Sequence, residues 1–169
     1  HEHFEAPGAY EIWGKSRGCS LSYTRVYQGD PLPEALGHTD LLIIMGGPQS
    51  PATTREECPW FDAQAEKALI SRAIEEGKTV IGVCLGSQLI GEALGAAFCH
   101  SPEKEIGKFP VRLTDAGKAN PLFEDFGSVL NVGHWHNDMP GLTPQAKVLA
   151  YSEGCPRQIV DRKSTRLNS

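Results

Sequence analysis

No apolar run in the 169 residues approaches the roughly 20 needed to cross a bilayer. The opening residues carry no basic segment followed by an apolar one, the pattern of a secretory signal. There is no low-complexity tract, no internal repeat and no linker-like break; 18 Gly and 12 Pro are scattered among apolar runs rather than gathered, which excludes collagen-like and disordered chains. Five cysteines, Cys19, Cys58, Cys84, Cys99 and Cys155, are an odd number without Cys-x-x-Cys spacing. A disulfide framework or a zinc ribbon is therefore unsupported, and a reducing compartment is expected. These absences predict a soluble, cytoplasmic protein with no membrane partner.

The sequence opens on His rather than Met, and His1-Glu2-His3-Phe4 reads as the loop after a preceding first strand. At the other end, residues 161–169 show no apolar periodicity and resemble the in-frame translation of a sequencing adapter, so we expect one domain over 1–160 and a non-native tail. The whole chain has net charge −5; without the tail, 13 basic and 20 acidic residues leave −7. An acidic body repels phosphate backbones, so no nucleic-acid partner is expected.

Leu41-Leu-Ile-Ile-Met45 and Thr79-Val-Ile-Gly-Val83 are short apolar runs stopped by glycine-containing turns, the pattern of buried parallel strands. Between them Phe61, Ala65, Ala68, Leu69 and Ile74 recur at helical spacing, with Asp62, Glu66, Lys67 and Arg72 opposite, and Gly77 ends the helix. Strand, helix, strand makes a βαβ unit. Further helices are expected over Ala9–Lys15 and Ser87–Leu94, and a strand over Ser20–Val26. After Gly95, Phe109–Leu113, Ser128–Val132 and Lys147–Ala150 read as strands of more antiparallel character. The expected architecture is three-layer and flavodoxin-like: a mixed, mostly parallel sheet with helices on both faces, incomplete at both termini. The acidic residues Asp62, Glu66, Glu75 and Glu76 read as a solvated surface.

Gly82-Val-Cys84-Leu-Gly86 at a strand-to-helix junction has the shape of a nucleophile elbow. The glycines permit a sharp turn that lifts Cys84 above the sheet edge, and the helix N-terminus favours its thiolate. The Leu85 N–H is a candidate oxyanion donor. Gly46-Gly47-Pro48 ends the neighbouring strand at the same sheet edge, where open α/β folds bind ligands, and the Gly47 N–H is a candidate second donor.

Together with Gln88 and Trp135-His136-Asn137-Asp138, these motifs resemble the class I, triad-type glutamine amidotransferases. Ser101–Gly107 and Val132–Pro140 look like the stand-alone, GMP-synthase-like branch. The resemblance implies that Cys84 attacks the glutamine carboxamide and forms a glutamyl thioester, with Gly47 and Leu85 as the oxyanion hole. Gln88, His136, Asn137 and Asp138 would bind the substrate; Asn137 stands where glycine is often found. The resemblance implies a small-molecule substrate, glutamine or another γ-glutamyl compound, and a synthetase or other ammonia acceptor as partner. No cofactor is expected.

The family's base and its orienting carboxylate come from a His-x-Glu step, and none follows Cys84 here. Among the histidines after Cys84, His100, His134 and His136, only His136-Asn137-Asp138 offers His-x-Asp, a segment the resemblance assigns to substrate. We expect that the His-x-Glu was lost by truncation and that the fragment is inactive without it. The alternatives are a non-catalytic binding or regulatory domain on the same fold, or a cysteine hydrolase of another substrate class. His134 and His136 share a strand face, but neither His100 nor Cys99 makes a convincing third ligand, and no metal site is expected.

Overall fold

The fold of unit one is built on two short strands that pair in parallel, Leu41–Ile44 (β1) and Thr79–Gly82 (β2), with Leu41 opposite Thr79 and Ile44 opposite Gly82. The structure, a computed structural model, describes residues His1–Arg162. The remainder of the expected foreign tail, residues 163–169, lies outside the described residues. The chain divides into two compact units, His1–Ala93 and a second from Leu94 on.

In the first unit, α1 (Ala9–Ser16) is followed by a 3-10 turn at Val26–Gln28, then by β1, α2 (Ala63–Glu75), β2 and α3 (Leu85–Ala93). The βαβ order expected from the two apolar runs is present. Helix α2 starts where Asp62 accepts from the backbone N–H groups of Gln64 and Ala65 at 3.1 and 3.0 Å, an N-cap that satisfies two otherwise orphaned donors. It ends at Gly77, φ +69°, where the Lys78 N–H returns to the Ala73 carbonyl at 2.9 Å. Only a residue at ease with positive φ closes a helix this way. Phe61, Ile70, Leu85 and Leu89 are wholly buried and form a core with Ile44 and Cys58; each large apolar side chain removed from water stabilises the unit by about 2–3 kcal/mol.

The face of α2 turned inward differs from the sequence expectation. Ala63, Glu66, Leu69, Ile70 and Ala73 are buried, whereas Ala65 and Ala68 are exposed. Glu66 is thus in the core and not on a solvated surface, because a side chain remote in sequence, His1, meets it there. The expected strand at Ser20–Val26 does not form: Ser20–Arg25 are exposed coil, and their β-prone residues have no partner strand among the described residues.

The second unit is an antiparallel sheet in the order β4-β3-β5-β6, made of Cys99–Leu113 (β3), Val129–Met139 (β4), Lys147–Tyr151 (β5) and Ile159–Asp161 (β6). A four-residue helix, Asp115–Lys118 (α4), follows β3. Strands β3 and β4 form a long pair running from Arg112 opposite Val129 to Cys99 opposite Met139, with an irregularity between His100 and Glu105. Parallel and antiparallel pairing are both present, as expected for this α/β class, but they occupy two separate sheets.

Candidate active site

Cys84 follows directly on β2 and precedes α3. It is exposed, and its φ of +50° makes it the one non-glycine residue with positive φ among those described. That conformation disfavours any side chain and recurs where function requires it. The flanking glycines explain how the turn closes. A Cβ on Gly86 would land on the Ile44 carbonyl, and one on Gly82 would collide with the Gly86 backbone and with Ile90. The elbow therefore exists because α3 starts in contact with the backbone of both strands. Leu85 points its side chain into the core. As a first-turn residue of α3, its N–H has no acceptor within the helix.

The turn after β1 lies against this elbow. A Cβ on Gly46 would sit 3.4 Å from the Cys84 Cβ, and one on Gly47 would sit 3.2 Å from a Leu85 methyl. The structure thus brings together Cys84, Leu85 and Gly47. Gln88 lies one turn into α3, is buried, and has its Oε1 without a hydrogen-bond partner among the described residues.

His1 completes this region. Its Nδ1 lies 2.8 Å from the Gly46 carbonyl, and its Nε2 lies 2.8 and 3.0 Å from the two oxygens of Glu66. Burial works against a charge on this imidazole, but the hydrogen bond and negative charge of Glu66, with the Gly46 carbonyl and Glu5 adding to them, hold its pKa above the ordinary histidine value.

The remaining expected residues, His136, Asn137 and Asp138, end β4 in the second unit. Asp138 bonds the His100 ring at 2.6 Å, Asn137 is exposed, and His136 is mostly buried. Their surroundings reveal a residue that motif reading missed. Glu105 faces His136 across the β3–β4 ladder and is buried. Its Oε2 accepts from His134 Nδ1 at 2.9 Å, Ser152 Oγ at 2.8 Å and Gln158 Nε2 at 2.6 Å, while its Oε1 accepts from the Gly154 N–H at 3.3 Å. The Gln158 amide also reaches His136 Nε2 at 2.9 Å. Burial raises the Glu105 pKa, but the hydrogen bonds of Ser152 and His134 and the charge on His134 outweigh it and hold the carboxyl below its usual range. For His136 burial dominates over Glu105 and pushes the ring below the ordinary histidine value.

The third group near the histidine pair is therefore Glu105, not His100 or Cys99: ligand-type atoms of Glu105, His134 and His136 lie within 4.8 Å of one another. A cation could be held by this set only by displacing the hydrogen bonds just described. The signal in the sequence was the pairing of Glu105 with the His-x-His step, which becomes visible only once the strand register is known.

A profile of the family "Glutamine amidotransferase class-I" matches residues 13–166. The glutamine amidotransferase-like protein YfeJ of Salmonella typhimurium is 63% identical over 160 residues, covering 95% of this chain and 67% of that protein. A GMP synthase (glutamine-hydrolyzing) of Aeropyrum pernix is 33% identical over 129 residues, covering 76% of this chain but only 22% of that protein. The crystal structure of a glutamine amidotransferase from Thermotoga maritima superposes with a TM-score of 0.83 at 26% identity, over 95% of this chain and 68% of that one.

Proposed function

Because the chain belongs to the class I glutamine amidotransferase family, we propose that it supplies the nucleophile and oxyanion donors for cleaving the carboxamide of glutamine, or a related γ-glutamyl bond, through a thioester on Cys84. The observation that carries this is the exposed Cys84 held at positive φ between two glycines that admit no side chain. The Cys84 thiolate adds to the carboxamide carbon, and the oxyanion forms against the N–H groups of Gly47 and Leu85. Collapse of the tetrahedral adduct breaks the C–N bond, the amine takes a proton, and ammonia leaves a glutamyl thioester. Water then releases glutamate and returns the thiol.

In this reading Gln88 presents its unpartnered Oε1 to the substrate. The assignment of His136, Asn137 and Asp138 to substrate binding is proposed from the family resemblance alone. The base and its carboxylate come from a His-x-Glu step, and none follows Cys84 in these 169 residues. The ammonia acceptor is proposed to be a synthetase-type partner, by analogy with the GMP synthase relative. A second reading on the same fold is a binding or regulatory module that holds the ligand without turnover.

The first test needs no base. A chloroketone analogue of glutamine should add to Cys84, located by mass spectrometry, and free glutamine should block it. In a protein completed with the His-x-Glu, Cys84→Ala should abolish glutamate release; residual turnover would sink the mechanism. Binding of glutamine without any release by the completed protein would establish the second reading.

A further inference from the structure

The peptide between Gly46 and Gly47 is one planar trans unit, so its C=O and N–H point in opposite directions. Whatever holds the Gly46 carbonyl therefore aims the Gly47 N–H. It is held by His1, through ring Nδ1 at 2.8 Å. The other ring nitrogen meets both oxygens of Glu66. A carbonyl and a carboxylate only accept hydrogen bonds, so a ring that bonds both through its two nitrogens carries a proton on each. The raised pKa of His1 favours that doubly protonated ring, and the His1 and Glu66 side chains are only 7% and 4% exposed. Phe61 stands edge-on to the ring at 5.6 Å.

A buried ion pair is weak evidence for stability, since its desolvation offsets most of its attraction. We infer that the His1–Glu66 pair is a positioning device: it fixes the Gly46–Gly47 peptide with its N–H turned away from His1, and polarises that peptide so that the N–H is a stronger donor. A charge-assisted hydrogen bond on the carbonyl draws electron density from the amide, and linked hydrogen bonds strengthen one another. This inference rests on the reading of Gly47 as an oxyanion donor. Neither His1 nor Glu66 touches the substrate in it; both act through the peptide.

The charged groups facing His1 are Glu66 from α2 and Glu5 from its own loop, with Glu2 close by through its bond from Gln49 at 2.6 Å. The imidazolium, with its pKa raised, is present below the ordinary histidine value and is lost as pH rises through the raised one. The peptide's orientation should follow.

The test uses the full chain and two reagents for Cys84. Addition of the thiolate to the chloroketone analogue of glutamine converts its carbonyl to an alkoxide before chloride is expelled and a thioether ketone remains. Iodoacetamide loses iodide from a saturated carbon and develops no oxyanion. Dividing the first rate by the second cancels the thiolate fraction. Glu66→Gln and His1→Phe should each lower the ratio by about tenfold or more, a part of what a whole oxyanion donor contributes. In the unsubstituted protein the ratio should fall as pH rises through the His1 titration followed by NMR. A ratio unchanged in folded variants, or flat across that titration, overturns the inference; if the variants do not fold, the unsubstituted protein's pH dependence decides alone. Failure of glutamine to protect Cys84 in the unsubstituted protein overturns the functional reading and this inference together. Protection with an unchanged ratio overturns the inference alone.

Discussion

Replacing Glu105 with Ala removes the acceptor on which four donors of the second unit converge. Two of them keep an alternative: Ser152 Oγ can still reach the Cys155 carbonyl at 3.4 Å, and the Gln158 amide can still reach His136. His134 Nδ1–H and the Gly154 N–H lose the carboxylate. A buried donor left unsatisfied costs about 1–3 kcal/mol, so two such donors and the emptied volume amount to about 3–5 kcal/mol, the range found when one partner of a buried charged pair is deleted. With a urea slope of about 2 kcal/mol/M, that moves the unfolding midpoint down by about 2 M. The assay is urea unfolding followed by far-ultraviolet circular dichroism, which reports the antiparallel sheet that carries Glu105. Exposed Glu103, two residues away, is the control, and its replacement by Ala should stay within about 0.5 kcal/mol. A loss under about 1 kcal/mol for Glu105→Ala, at unchanged slope, would refute the assignment of Glu105 as the acceptor that organises this cluster.

The positive φ at Cys84 predicts that Cys84→Gly is more stable than Cys84→Ala by about 1 kcal/mol in thermal or chemical melts, since glycine alone occupies that region without strain. Gly86→Ala should cost about 3 kcal/mol or more, because its methyl would overlap the Ile44 carbonyl, and the melting temperature should drop accordingly. The pH dependence of stability in the second unit has a definite sign. His136 and Glu105 both have depressed pKa values, so each contributes stability above its ordinary pKa that is lost on acidification. The His136 contribution should decline from about pH 6.5 downward, and that of Glu105 below the usual carboxylate range. His136→Phe should flatten the first of these limbs in a series of urea melts.

The strands β1 and β2 were legible as unbroken apolar runs, and the elbow as two glycines around a cysteine between strand and helix. These signals are local. The inward face of α2 was not legible, because Glu66 occupies a core position that only the imidazole of His1, 65 residues away, makes tenable. Strand β3 was recognised only from Phe109 onward. Its first ten residues turn Ser101 and Glu105 inward, so polar side chains occupy the positions where apolar alternation would have betrayed a strand. Ser20–Val26 misled in the opposite direction, since β-prone residues there have no strand to pair with among the described residues. The site was read from the nucleophile and its turn; Glu105 and Gln158 carry meaning only once β3, β4 and the chain before β6 lie side by side.

The two ladders also differ in the order in which they can form. Strands β3 and β4 can zip progressively, starting from Arg112 and Val129 and moving outward. Every rung between β1 and β2 instead joins residues as far apart as Leu41 and Thr79, so none forms until the whole intervening segment, α2 included, has closed. Loop-closure entropy grows slowly with length, and the longer span adds only about 0.7 kcal/mol to the first contact. The parallel ladder nonetheless has no shorter rung from which to start. Cys84 is therefore an ordinary thiol on a nascent chain until that closure occurs, and its special geometry arrives in one step with the β1–β2 register.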